Sequence, residues 1–194
     1  MSPKSPLSET ALQAKLKELL KSARYDHTRG VVSTAEELAL AHGLDERAAR
    51  FAAWLHDSAK CLSPVRMKSL ARQAGADAVE LASPSLWHAP ASSLLAQKEF
   101  GVSDPNVIQA IRFHTTGAPG MGPLGKLLYV ADYSEPGRRY KGTKKLRKLA
   151  LEDLDAAYKE VLREKLAWVV HKRQTLHARS VEAYNEALQK AARA

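Results

Sequence analysis

Apolar residues recur three and four positions apart along most of this chain, and β-branched runs with period-two alternation are scarce, so the pattern predicts helices throughout and an all-α fold. Leu12, Leu16, Leu19 and Leu20 define a first helix that ends before Tyr25. A second is expected from about His27 to His42, with Gly43 as its terminator. Asp45 reads as the N-cap of a third, which runs through the apolar stretch 51–55 and ends at His56 and Asp57. Ser63 followed by Pro64 opens a fourth, closed by Gly75. "SPSLWHAP" reads as a loop leading into "ASSLLAQKEFG", closed by Gly101. "SDPNVIQAIRFH" repeats the cap-then-proline start, with Val107, Ile108 and Ile111 on one face and His114 at the end. After the loop "TTGAPGMGP", the apolar helix "LGKLLYVADY" carries Asp132 and breaks at Pro136 and Gly137. One long amphipathic helix is expected from Thr143 to about Lys172, and a last one from about Arg179 to Lys190.

The 194 residues, 45% of them apolar, suit one compact domain spanning 1–194, with its central part at about 25–140 and the helices of 143–190 packed against it. Lys and Glu interrupt the N-terminal segment at every turn, so no signal peptide or membrane span is expected. Cys61 is the only cysteine, which rules out an internal disulfide and agrees with a reducing, cytoplasmic setting. A formal net charge of +9 points toward anionic partners, phosphorylated metabolites and nucleic acid among them. The excess is concentrated in "RRYKGTKKLRK", where Arg138, Arg139, Lys141, Lys144, Lys145, Arg147 and Lys148 stand without an acid; a solvated helix face and an anion site explain it equally well.

The stretch "FAAWLHDSAKCL" carries the chemistry. Phe51 to Leu55 should enter the core, yet the run delivers an imidazole and a carboxylate, which are costly to desolvate without a partner. A metal ion is one partner and a satisfied core hydrogen bond is the other. His27 and Asp132 fall at other helix ends, so four residues could converge inside a helical bundle. Two imidazoles and two carboxylates, His27, His56, Asp57 and Asp132, form a mixed nitrogen and oxygen set suited to iron, manganese or another borderline divalent ion. Lys60, one turn beyond His56, and Arg138, close to Asp132, are the cations nearest this set in sequence, and each also reads as an ordinary polar residue at a helix end. On sequence alone His88 reads as a loop hydrogen-bonder, and His114 as an imidazole favoured by a helix C-terminus. His42 and His171 receive no role, and Asp26 reads as a surface residue.

The constellation of a His, a distant His-Asp pair and a later Asp resembles the HD-domain phosphohydrolases. The nearer resemblance is to the YqeK family of symmetrical diadenosine tetraphosphatases, carried in order by "YDHTRGV", "WLHDSAK", "WHAP", "IRFHTTGAPGM" and "LLYVADYSEPGRRY". The resemblance implies an α-helical HD bundle. It also implies iron, one ion or two, held through His27, His56, Asp57 and Asp132, with manganese as an alternative. It gives His88 and His114 to a second ion or to substrate phosphate, and Asp57 and Lys60 catalytic roles. Ser58, Ala59, Lys60 and Arg138 would line the substrate, and His177 would lie in a C-terminal loop against the nucleotide. The implied substrate is a dinucleoside polyphosphate and the product ADP.

Two other functions compete. A different HD-type nucleotide hydrolase would share the same ligands, although "VADYSEPGRR" lacks the Glu-Asp pair expected of guanosine tetraphosphate hydrolases. An RNA- or ribosome-associated protein using residues 138–148 would show affinity that falls steeply with salt. Tyr140 is the only aromatic in that segment, which disfavours sequence-specific reading of single strands.

Overall fold

The computed structural model describes residues 8–140 and 142–191, and every regular element among them is helical. In chain order these are α1 (Glu9–Leu19), α2 (Ser22–Ala41), α3 (Glu46–Leu55), α4 (Pro64–Gln73), α5 (Ala78–Ala82), α6 (His88–Lys98), α7 (Pro105–Phe113), α8 (Pro123–Ser134), α9 (Thr143–Glu152), α10 (Leu154–His171) and α11 (Ala178–Ala191). A 3-10 turn over Pro84–Leu86 precedes α6. Among the described residues no helix is long and apolar enough to cross a membrane.

The starts of these helices are written into the sequence. Ser8, Asp45, Ser63, Asp77, Asp104 and Asp153 each accept a hydrogen bond from an amide of the first turn. Each such cap stabilises its helix by about 1 kcal/mol. Pro64, Pro105 and Pro123 stand at first positions, where the missing N–H costs nothing.

Helices α2, α3, α7 and α8 pack against one another and form the centre. Ala49, Ala52 and Ala53 give α3 a fully buried small-residue face, so its axis can approach its neighbours closely. Trp54 closes one side, its indole N–H donating to Glu9 Oε1 at 3.2 Å. Helix α6 lies on α4 and α7, while α10 crosses α8 and carries α9 and α11.

Three expectations are corrected here. The long amphipathic pattern after Thr143 breaks at Asp153, whose backbone is extended (φ −148°) and whose carboxylate caps the Ala156 amide, so α9 ends and α10 begins on one residue. His27 does not open a helix: α2 starts at Ser22 and His27 lies inside it. "SPSLWHAP" is no continuous loop, because α6 begins at His88 itself. Of the basic segment, Lys141 falls outside the described residues.

Candidate metal centre and substrate cleft

Five elements deliver six polar residues to one buried point. Helix α2 contributes His27, the end of α3 gives His56 and Asp57, α6 begins with His88, α7 ends at His114, and the last turn of α8 carries Asp132. Neighbouring residues on a helix point about 100° apart. The chain resolves this for His56 and Asp57 by leaving the helix: α3 stops at Leu55, and tight turn bonds run from Ser58 N–H to the Leu55 carbonyl (3.1 Å) and from Lys60 N–H to the Asp57 carbonyl (2.9 Å). His27 Nε2 stands 3.2 Å from Asp132 Oδ1, and His56 Nε2 stands 3.7 Å from Asp57 Oδ2 and 4.0 Å from Asp132 Oδ1.

Three imidazoles share one orientation. The Nδ1 of His56 donates to the Ala53 carbonyl at 2.6 Å, that of His114 to the Ile111 carbonyl at 2.8 Å, and that of His27 to Glu135 Oε1 at 3.1 Å. Each therefore turns its Nε2 inward, the arrangement by which neighbouring acceptors orient metal-bound histidines. His27 Nε2, His56 Nε2 and Asp57 Oδ1 are buried without a hydrogen-bond partner. Buried polar atoms are almost always paired, and these orphans, two nitrogens on the His27–His56 side of Asp57 and one oxygen on its His88–His114 side, fit the donor set of a bound cation. His27, His56 and Asp57 present donors within 4.8 Å of one another, and so do Asp57, His88 and His114. Asp57 belongs to both sets, with Oδ1 facing His88 (3.4 Å) and His114 (3.8 Å) and Oδ2 facing His56.

The electrostatics agree with ligand roles, which need neutral imidazoles and ionised carboxylates. Burial opposes ionisation of Asp57, but His56, His88, Lys60 and His114 outweigh it and hold the carboxyl well below the usual range. Asp132 is held low against the same penalty by His27, Lys165, His56 and His114. Burial pushes His88 down to about 4 and moves His114 the same way. Lys60 donates to His88 Nδ1 at 2.9 Å, and burial lowers its ammonium from the ordinary lysine value while Asp57 pulls it back.

Four residues that the sequence reading did not select complete the centre. Glu135, buried between Gly30 and Gly137, orients His27; a Cβ on Gly30 would lie 2.5 Å from Glu135 Oε2, and one on Gly137 2.8 Å from Oε1. Arg24 reaches Asp57 Oδ2 at 2.7 Å. From α10, Lys165 donates to the His114 carbonyl (3.2 Å), approaches Asp132 Oδ2 (4.0 Å) and lies 3.7 Å above the Tyr129 ring; burial lowers its ammonium to about 8 against the pull of Asp132. Arg147 from the basic segment turns inward and donates to the carbonyls of Ser134 (2.5 Å) and Glu135 (3.0 Å), fixing the end of α8. Only Glu135 had a signal in the sequence, a carboxylate flanked by Pro136 and Gly137 just past the Asp132 helix.

The centre opens into a cleft of about 1060 Å³ lined by His27, Lys60, Glu135 and the cations Lys21, Arg24 and Arg138. Arg138 donates to Asp132 Oδ1 at 3.0 Å. On the far side, a cavity of about 70 Å³ is lined by Thr115, Thr116, Lys165 and His177. His177 itself stands apart from the cluster, bonded to Asp77 at 2.9 Å. Asp77, Glu80 and His177 have metal-like spacing, but Arg112 and Arg179 already neutralise those carboxylates, making an ion-pair clasp. Ser58 is buried at the cluster's turn with its hydroxyl unpartnered. Ala59 is fully buried and its amide donates to Ser92 Oγ at 3.0 Å.

Comparison with known proteins follows the same geometry. The HD domain family matches residues 24–137. A symmetrical bis(5'-nucleosyl)-tetraphosphatase of Bacillus subtilis is 40% identical over 171 residues, covering 88% of this chain and 92% of that protein. One of the same description from Halalkalibacterium halodurans is 37% identical, covering 89% and 93%. The crystal structure of an HD superfamily hydrolase from Clostridium acetobutylicum, described as involved in NAD metabolism, superposes with a TM-score of 0.91 at 36% identity, over 96% of this chain and 100% of that one.

Proposed function

This chain belongs to the HD-domain family, in its YqeK branch of symmetrical bis(5'-nucleosyl)-tetraphosphatases, and on that premise we propose that it hydrolyses diadenosine tetraphosphate at the centre of the bridge to give two ADP. The observation that carries this reading is the cluster in which His27, His56 and Asp57 present donor atoms within 4.8 Å of one another, beside a cationic cleft that His27 itself lines.

We assign His27, His56, Asp57 and Asp132 to one divalent ion, and Asp57, His88 and His114 to a second ion or to substrate phosphate. Iron fits this nitrogen and oxygen set, and manganese is compatible with it. A divalent ion supplies a nucleophile from water near neutral pH and neutralises phosphoryl oxygens. The protein's own groups do the rest. Glu135 and the carbonyls of Ala53 and Ile111 lock the three imidazoles, so the reacting geometry is set before substrate arrives.

Arg24, Arg138 and Lys21 line the cleft, where guanidinium groups bind phosphate through paired hydrogen bonds. Water adds to one inner phosphorus, the bond from that phosphorus to the central bridging oxygen breaks, and ADP departs. Lys60, tied to His88 and facing Asp57, is placed to balance the charge that spreads over the phosphoryl oxygens. Lys165, which shares a small cavity with His177, bonds the His114 carbonyl and so brings the C-terminal segment that carries His177 beside the centre.

Metal-loaded protein incubated with diadenosine tetraphosphate should yield ADP as the only nucleotide product. ATP plus AMP, or no turnover under anaerobic iron loading, would overturn the assignment.

A further inference from the structure

We propose that Tyr140 is the stacking platform for the adenine of the departing ADP, and so the residue that selects a dinucleotide over a mononucleoside polyphosphate; this rests on the hydrolysis described above. A substrate with a base at each end needs two places for bases. The cleft lining, cationic at Lys21, Arg24, Lys60 and Arg138, includes no aromatic side chain, so it can hold the bridge but offers no stacking surface for the second base.

Tyr140 lies two residues beyond Arg138, the last residue to line that cleft. Arg138 links it to the centre, with one guanidinium nitrogen 3.0 Å from Asp132 Oδ1 and another 3.5 Å from the Tyr140 hydroxyl. The phenol and the Asp132 carboxylate thus stand on opposite sides of one guanidinium, each a hydrogen-bond length from it, a span that a diphosphate and a ribose can bridge.

The ring is held for this purpose. One face is stacked on Tyr133, with centroids 5.3 Å apart and planes 29° from parallel. The Tyr140 carbonyl accepts from both the amide (3.2 Å) and hydroxyl (2.6 Å) of Thr143, which fixes the backbone. Yet Tyr140 remains 51% exposed, so about half of the residue is open to solvent beyond its contact with Tyr133. Bases stack on aromatic rings whatever their identity, and losing one platform weakens binding between roughly fivefold and a hundredfold.

The test compares kcat/KM for diadenosine tetraphosphate and for adenosine 5'-tetraphosphate, which keeps four phosphates and one adenosine but lacks the second nucleoside. The ratio of the two should fall by about tenfold in Tyr140→Ala, through KM for the dinucleotide. Tyr140→Phe, which keeps the ring and loses only the hydroxyl, should retain the wild-type ratio. A melting temperature matched to wild type shows that the Ala variant is folded. An unchanged ratio in Tyr140→Ala overturns the proposal, whether both substrates slow equally or neither does; so does a Phe variant that behaves like Ala. If the wild-type protein cleaves neither substrate, the hydrolysis reading itself fails and the platform falls with it.

Discussion

His27 Nε2 lies 3.2 Å from Oδ1 of Asp132, so an imidazole from α2 and a carboxylate from the last turn of α8 meet inside the bundle although most of the HD segment separates them in sequence. His27 lines the cleft and Asp132 is held by Arg138, which lines it too, and both have their remaining atoms engaged: His27 Nδ1 by Glu135, Asp132 Oδ2 by Lys165. The pair is preorganised by its surroundings.

Asp57 serves both donor sets, so Asp57→Asn should remove bound metal and lower kcat by at least about a hundredfold, in line with loss of a charged ligand. The helix content should stay near wild type, because asparagine is isosteric and the substitution leaves the apolar core of the bundle untouched. Elemental analysis and circular dichroism on one sample check both halves.

Glu135 acts through His27. Glu135→Ala leaves the His27 Nδ1 without its acceptor and should weaken metal binding by about 10- to 100-fold. Gly30→Ala makes the same point from the other side, since its new Cβ would press on Glu135 Oε2. Alanine is the better helix former, so α2 itself should not suffer. Metal titration should show both variants weakened with their folds intact.

Arg24→Ala should raise KM for the dinucleotide by about tenfold, the scale of one charge-assisted hydrogen bond, and make activity less sensitive to salt. Metal affinity should hold or rise, because the guanidinium that competes for Asp57 Oδ2 is gone. Weaker metal binding in this variant would show Arg24 to be a support of the ligand set instead.

The clasp between α5 and the C-terminal segment sets acid stability. Burial works against the Glu80 carboxylate, but its bonds to Arg112 (2.6 and 2.7 Å) and Asp77 bring its pKa below the ordinary value of 4.5. A lowered carboxylate stabilises the fold above pH 4.5, and that contribution is lost as pH falls through the folded-state value. Glu80→Gln should therefore cost about 2 kcal/mol at pH 7 and much less near pH 3, as read by urea denaturation at the two pH values. An equal loss at both would assign the effect to packing.

The sequence carried the cluster's His-Asp pair clearly, because an apolar run that ends in an imidazole and a carboxylate has few bland explanations. His27 was legible as a residue and misplaced as a helix start, since "SARYD" has no cap or proline to mark where α2 begins and Lys21 caps nothing. The join at Asp153 was hidden for a similar reason: with no Gly or Pro nearby, the helical period runs through it unbroken. Arg24 and Lys165 were illegible because a long cationic side chain on a helix reads as solvated surface until the fold shows where its tip lies. His177 was singled out as a nucleotide contact, and the structure ties it to Asp77 beside a small cavity, a relationship set by the clasp and invisible in local pattern.

The most direct test couples metal content to turnover in one preparation. Protein purified anaerobically should contain a divalent transition metal and convert diadenosine tetraphosphate wholly to ADP. Chelation should remove both properties, and re-addition of iron should restore them together. A preparation stripped of metal that still cleaves the dinucleotide at the wild-type rate would contradict the account.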